Sequence, residues 1–342
     1  MAARCPVSMF RLFAIIFSTF FLIGQTASAE KYASIVINME TGDVLHARHA
    51  DAPRFPASLT KAMTLYMVFD ALKSGEMKLY EELPVSRTAA SQPPSALRLR
   101  AGTTITVRDA IHALVTKSAN DVAVVVAERL GGSERRFATL MTTKARSMGM
   151  TSTTFRNASG LPNNQQLSTA RDMAVLAERL VKDHADYYGY FASQKFHWGR
   201  TTYKNHNRLI GEVLGVDGIK TGYTRASGFN LMASAKRNGD RVIAIMFGGS
   251  TSRSRDQHVT DLIEAAYSSI EAGPSPDSDT PAATHVAFST VESPIDPNAA
   301  ARPMLNGEVF SPQSPAAELI AEGDATEPEQ TQTLTRWSKR LD

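Results

Sequence analysis

Cysteine is nearly missing. The 342 residues hold one, Cys5, so the chain has no internal disulfide and no thiol nucleophile beyond its first few residues. The eight histidines form no His-Glu-x-x-His, and the tightest group, His46-Ala47-Arg48-His49, falls in an expected exposed hairpin arm. No metal site and no cofactor follow from that spacing. A Gly-rich phosphate loop is also missing. Basic residues are not gathered in a run interleaved with aromatics, which argues against nucleic acid as a partner. The longest apolar run, Leu12 to Gly24, is short for a membrane span.

That run has another reading. Arg4 and Arg11 precede it and Ala27-Ser28-Ala29 follows it, the pattern of a secretory signal peptide over 1–29, cut before Glu30. An uncleaved anchor helix is the alternative. An exported chain without cysteine would fold in the periplasm or cell envelope on packing alone.

Charge and proline divide the remainder. Residues from Gly273 onward carry eleven Asp and Glu against four Lys and Arg, and nine of the sixteen prolines. No periodicity is sustained there, so 273–342 reads as a disordered tail. The segment Leu334 to Leu341 is basic and faintly amphipathic but too short for a membrane helix, and it leaves membrane attachment open. With the chain at +3 overall, the tail at −7 and the first segment at +2, residues 30–272 carry +8. A mild positive field suits an anionic wall polymer; a merely solvated surface is the alternative.

Within 30–272, Ala33–Asn38 and Val44–Ala47 flank Glu40-Thr41-Gly42-Asp43 as a hairpin. A largely buried helix is expected over Ser58–Leu72 and helices over 107–130, 137–148, 169–183 and 253–270, with Ser118-Ala119-Asn120 interrupting the second of these or opening its second half. Strands are expected at 218–223, 230–235 and 241–247, and loop with short strands over 84–106.

Three short motifs bear chemistry. Ser58-Leu59-Thr60-Lys61 opens the first helix, with Pro56 two residues earlier. A three-residue step puts the Lys61 amine on the face of the Ser58 hydroxyl. A serine needs a base to become a nucleophile, and a lysine kept neutral can be that base. Alone, Ser-x-x-Lys is more often a capping serine and a solvated lysine. Here Ser118-Ala119-Asn120 follows after 60 residues and Lys220-Thr221-Gly222 after 102 more. Ser-x-x-Lys, Ser-x-Asn and Lys-Thr-Gly in that order mark penicillin-binding proteins and class A β-lactamases.

The flanks narrow the match. Pro56-Ala57-Ser58-Leu59-Thr60-Lys61-Ala62-Met63-Thr64, Lys204-Asn205-His206-Asn207-Arg208-Leu209 and Val216-Asp217-Gly218-Ile219-Lys220-Thr221-Gly222-Tyr223-Thr224 resemble the D-alanyl-D-alanine carboxypeptidases, the low-molecular-mass serine-type penicillin-binding proteins. The resemblance runs from about Tyr32 to about Ser269. It implies an α+β fold of the β-lactamase/transpeptidase type: an antiparallel sheet covered by helices, a helical subdomain, and the active site between them.

It also implies roles. Ser58 is the nucleophile and Lys61 the base. Ser118 bridges the lysines and passes a proton to the leaving amine. Asn120 holds the substrate peptide group. Lys220 and Thr221 attract the terminal carboxylate, and Gly222 lets substrate approach the strand. The backbone N–H groups of Ser58 and Tyr223 form the oxyanion hole, although many relatives have His where Tyr223 stands. Arg255, favoured over Arg253 by spacing, is a second carboxylate site; a helix-surface charge is its alternative reading. His206 reads as structural.

The implied partners are peptidoglycan stem peptides ending in D-Ala-D-Ala, with β-lactams as inhibitors. The leading function is a DD-carboxypeptidase. A DD-endopeptidase would use the same motifs, and an inactive penicillin-binding scaffold is the non-enzyme alternative. Thr151 to Ser168 contains no Asp or Glu, whereas class A β-lactamases use a loop glutamate for deacylation; slow release of penicillin is therefore expected.

Overall fold

The computed structural model describes residues 31–273. The expected signal segment and the tail beyond Gly273 lie outside the described residues. In chain order the elements are strands β1 (Ala33–Asn38) and β2 (Val44–Arg48), helix α1 (Thr60–Ser74), strand β3 (Glu82–Pro84), helix α2 (Arg87–Ala90), strand β4 (Thr104–Thr106) and helix α3 (Val107–His112). Helices α4 (Asn120–Gly131), α5 (Glu134–Ser147), α6 (Ala170–Asp183) and α7 (Ala185–Tyr188) follow. The chain then returns through β5 (Lys195–Trp198), β6 (Thr201–Lys204), β7 (Val216–Thr224), β8 (Gly228–Arg237) and β9 (Asp240–Gly249) to α8 (Ser252–Ala272).

Five strands form one antiparallel sheet in the order β2-β1-β9-β8-β7. Its central strands read as continuous apolar runs because both faces are covered. Alternate residues divide between two cores. Ile35, Ile37, Ile243, Ile245 and Phe247 join the large core with α1 and α4–α6. Val36, Val242, Ala244 and Met246 face the other way, against Val259, Ile263, Ala266 and Tyr267 of α8. The period of two along each strand produces this division.

Helix α1 is buried nearly all round and ends where Gly75 takes the left-handed conformation, φ +79°, which costs glycine little. Helix α4 has a valine-rich interior (Val122, Val124, Val125 and Val126, all buried). These β-branched residues favour strands intrinsically, and packing against α1 and α5 overrides that preference. The hairpin turn at 40–43 is fixed by Asn38, whose side-chain oxygen accepts from Glu40 N at 2.9 Å.

The fold class inferred from the resemblance holds. Two local expectations are sharpened and one element is added. The helix expected over 107–130 is interrupted at the Ser118 motif, one of the two outcomes expected there: α3 widens into a π-helical turn at Ala113–Lys117, and Ser118 closes it at φ +58°, ψ +42° before α4 begins. The short strands expected within the loop over 84–106 are β3 and β4, which pair at its two ends. The β5–β6 hairpin went unread because most of its residues are exposed and polar.

Candidate active site

The site begins with an unusual approach to α1. Ala57 takes φ +48°, a conformation costing a β-carbon-bearing residue roughly 1–3 kcal/mol. It leads into a 3-10 turn, Ala57–Leu59, so α1 proper starts at Thr60 and not at Ser58. Two neighbours hold the strained turn. Gly160 packs against the Ala57 backbone. Asn230 of β8 donates from Nδ2 to the carbonyls of Phe55 (3.1 Å) and Pro56 (3.3 Å). The outcome is a half-buried Ser58 at the mouth of the first helical turn.

Lys61 lies one turn inside and is fully buried. Its Nζ is 3.2 Å from Ser58 Oγ, 2.8 Å from Asn120 Oδ1 and 2.5 Å from the Ser159 carbonyl oxygen. Burial holds this amine well below the ordinary lysine range. The Lys220 cation pushes the same way, and Asp121 and Glu134 oppose it. A neutral amine has two N–H groups and one lone pair. Asn120 Oδ1 and Ser159 O accept the two N–H groups, which leaves the lone pair for the Ser58 hydroxyl.

The orientation of the Asn120 amide is fixed from its other end, where Nδ2 donates to the Pro93 carbonyl at 2.9 Å. The Asn120 backbone N–H donates to Ser95 O at 2.7 Å. Next to it, the Asp121 carboxylate accepts from the backbone N–H groups of Leu97, Leu99 and Val122 at 3.0–3.1 Å. The 93–99 loop is thereby tied to the N-terminus of α4. These bonds give Pro93 a definite place in the site.

Ser118 departs from the bridging role implied by the resemblance. Its Oγ is buried and has no hydrogen-bond partner among the described residues. Lys61 is committed to the three oxygens above, and Lys220 Nζ donates to the Thr221 carbonyl at 3.0 Å. An unpaired buried hydroxyl costs about 1–3 kcal/mol. It is the kind of group that a ligand would satisfy.

Strand β7 is the edge of the sheet on the cleft side, so part of its backbone hydrogen-bonding capacity has no strand partner. Gly222 comes so near the nucleophile turn that an added Cβ would lie 3.0 Å from Ser58 N and 3.1 Å from Pro56 O. Thr221 is buried beside it. Tyr223 is 55% exposed, with its ring centroid 4.2 Å from that of Phe229.

Positive charge is concentrated behind this edge. Lys220 is buried, and desolvation followed by the Arg255 cation lowers it to about 7. Arg255 is 3% exposed, which removes the surface-charge reading; Arg253 is the exposed one. The Arg255 guanidinium donates to Asn230 O at 3.0 Å and pairs with Asp256 Oδ1 at 2.6 Å. Asp256 in turn takes Arg208 at 2.8 Å. His206 is held near its cations by two Asx turns and by Asn207 Nδ2 donating to Gly218 O at 3.0 Å. Desolvation, then Lys220, Lys117, Arg255 and Lys61, lower its imidazole to about 4, so it stays neutral at physiological pH.

Sequence reasoning missed Ser159, whose contribution is a backbone carbonyl, and Asn230, whose amide joins sheet and nucleophile turn. A backbone acceptor leaves no trace in residue type. Asn230, a polar residue within a buried strand, was a visible signal. Among the described residues no group of three His, Cys, Asp or Glu could hold a metal ion.

The model of the peptidase S11 family, the D-alanyl-D-alanine carboxypeptidases, matches residues 23–251. The chain belongs to this family. Similar curated proteins include D-alanyl-D-alanine carboxypeptidase DacF of Bacillus subtilis, 36% identical over 254 residues, and DacC of Escherichia coli, 35% identical over 254 residues. Each match covers 72% of this chain and 64% of the relative, so the chain spans just under two thirds of the length of these relatives.

Solved structures agree on the fold. DacD from Francisella tularensis superposes with a TM-score of 0.67 at 29% identity, covering 69% of this chain and 70% of that one. Penicillin-binding protein D2 from Listeria monocytogenes in its ampicillin-bound form gives 0.61 at 32% identity, covering 70% and 97%.

Proposed function

We propose that this chain is a serine DD-carboxypeptidase that removes the terminal D-alanine from peptidoglycan stem pentapeptides through an acyl-enzyme on Ser58. The observation that carries the reading is the buried Lys61 amine 3.2 Å from Ser58 Oγ, with both of its N–H groups already engaged. Membership of the D-alanyl-D-alanine carboxypeptidase family supports the substrate class.

Ser58 Oγ attacks the carbonyl carbon of the penultimate D-alanine, and its proton passes to Lys61. The developing oxyanion meets the backbone N–H groups of Ser58, in the turn before α1, and of Tyr223 on β7. The C–N bond then breaks. Ser118, unpartnered in the free protein, passes the proton to the departing amine of D-alanine. Water hydrolyses the ester, with neutral Lys61 again accepting a proton. Asn120 positions the scissile peptide, and Lys220 and Thr221 receive the terminal carboxylate. Arg255, already paired with Asp256, acts on that carboxylate mainly by sustaining the positive field. β-Lactams enter as acylating inhibitors of Ser58, and the site of action is the cell envelope.

A diacyl-D-Ala-D-Ala peptide incubated with the protein should lose one alanine by mass and release free D-alanine. Digested sacculi, scored for free D-alanine against split cross-links, separate this activity from an endopeptidase. Absence of D-alanine release from both substrates would sink the proposal.

A further inference from the structure

The carbonyl that orients Lys61 belongs to a turn with its own support. Ala158, Ser159 and Gly160 lie directly behind the nucleophile. Ser159 O receives the Lys61 amine at 2.5 Å, and Ala158 O receives Thr64 Oγ1 at 2.7 Å. On the far side, the Ala158 N–H donates to Glu134 Oε1 at 3.1 Å. Glu134 is the first residue of α5, following the Ser133 cap. It is half-buried and makes no hydrogen bond to Ser58 or Lys61.

We propose that Glu134 is a positioning residue for the general base, fixing the Ala158–Gly160 turn so that the Ser159 carbonyl keeps the Lys61 lone pair on Ser58. The inference rests on the proposed role of Lys61 as base. If Ser159 O moves away, one amine N–H loses its acceptor and turns to Ser58 Oγ. The lone pair then points away from the proton it must take, and the base becomes a donor to the nucleophile.

The charge of Glu134 adds a second effect. The charged groups around Lys61 are Lys220 from β7, Asp121 from α4 and Glu134 from α5. Asp121 is occupied by three backbone N–H groups. Burial raises the Glu134 carboxyl, the Ala158 N–H lowers it, Glu128 of α4 raises it and Lys61 lowers it. Glu134 therefore moderates the push of Lys220 on Lys61 and keeps the amine basic enough to remove a serine proton.

The test is the pH dependence of kcat and KM for D-alanine release by the full chain and two variants. Glu134→Gln keeps an acceptor for Ala158 N–H and removes the charge. Its acid limb should move to lower pH by about half a unit or more. Glu134→Ala also removes the acceptor. Its plateau kcat should fall about tenfold or more with little change in KM, since a small misplacement of a catalytic group is costly. Circular dichroism checks folding; if the alanine variant does not fold, Glu134→Asp, which keeps the charge but withdraws the acceptor by one methylene, decides the matter by the same fall in kcat. Profiles that superimpose on the wild type would overturn the role of Glu134. A wild type that releases no D-alanine would overturn the Lys61 reading instead.

Discussion

Gly160 lies against Ala57 with no room for a side chain: a Cβ on Gly160 would fall 1.9 Å from the Ala57 carbonyl oxygen. Both residues have positive φ, +85° and +48°. A strained alanine leans on a glycine whose conformation an L side chain would strain, and the nucleophile follows directly. Gly160→Ala should therefore destabilise the fold by about 2 kcal/mol or more and disable turnover in whatever fraction folds. Urea unfolding and D-alanine release, measured on the same sample, check both. A variant with normal stability would mean the turn can relax without loss.

Ser58→Ala should abolish D-alanine release and β-lactam labelling while the melting temperature stays within about 2–4 °C of the wild type. The Ser58 hydroxyl caps no helix N–H, so its loss removes chemistry and little structure. Differential scanning fluorimetry and intact-mass measurement test the two halves.

Lys220→Met separates stability from function. The unfolded chain keeps this lysine protonated up to about pH 10.5, whereas the folded protein gives up the proton at about 7. Between those values the unfolded state binds more protons, so wild-type stability rises with pH through that window. Methionine has no such cost. The variant should melt higher than the wild type at pH 7, and the gap should narrow toward pH 10. Turnover should be lost, and with one cation removed Lys61 should titrate higher. A variant less stable than the wild type at pH 7 would show that Lys220 is better solvated than its burial indicates.

Benzylpenicillin should leave a persistent adduct on Ser58. Residues 151–168 contain no carboxylate. The acids whose charge reaches Lys61 are Asp121, bound to backbone N–H groups, and Glu134, behind the 158–160 turn. Neither is placed as the loop glutamate that activates water in class A β-lactamases. Intact mass followed over time should show the bound drug remaining long after acylation is complete. Rapid return to the unmodified mass, with catalytic loss of drug, would point to a β-lactamase.

The frame of the molecule was legible in the sequence where burial dictates residue type. Ile243, Ile245 and Phe247 announce their strand, and Leu59, Met63 and Val68 announce α1. The break at Ser118 was legible only as an interruption by the Ser-Ala-Asn motif, because Ala110, Ile111, Leu114 and Val115 keep helical spacing right up to it. Only the backbone shows the π-helical turn and the left-handed serine. In the site, motif residues could be named from side chains. The parts contributed by peptide groups, Ser159 O and Pro93 O, could not, because any residue carries a carbonyl. Arg255 was visible as a cation, but its bond to the Asn230 carbonyl depends on how α8 meets β8.

The order of strands has a consequence for how the molecule comes into being. Strand β1 pairs with β9, Ala33 against Phe247, so the start and the finish of the described chain meet at the middle of the sheet. Loop closure over more than two hundred residues precedes that pairing, and such long-range contacts form slowly. The helices between have local contacts and assemble sooner. During synthesis β1 and β2 must wait, unpaired on one side, until β9 has emerged. A chain interrupted before Asp240 has no β9 to join β1 to β8, so this sheet cannot form and the Asn230 amide and Gly222 are not held against the nucleophile turn.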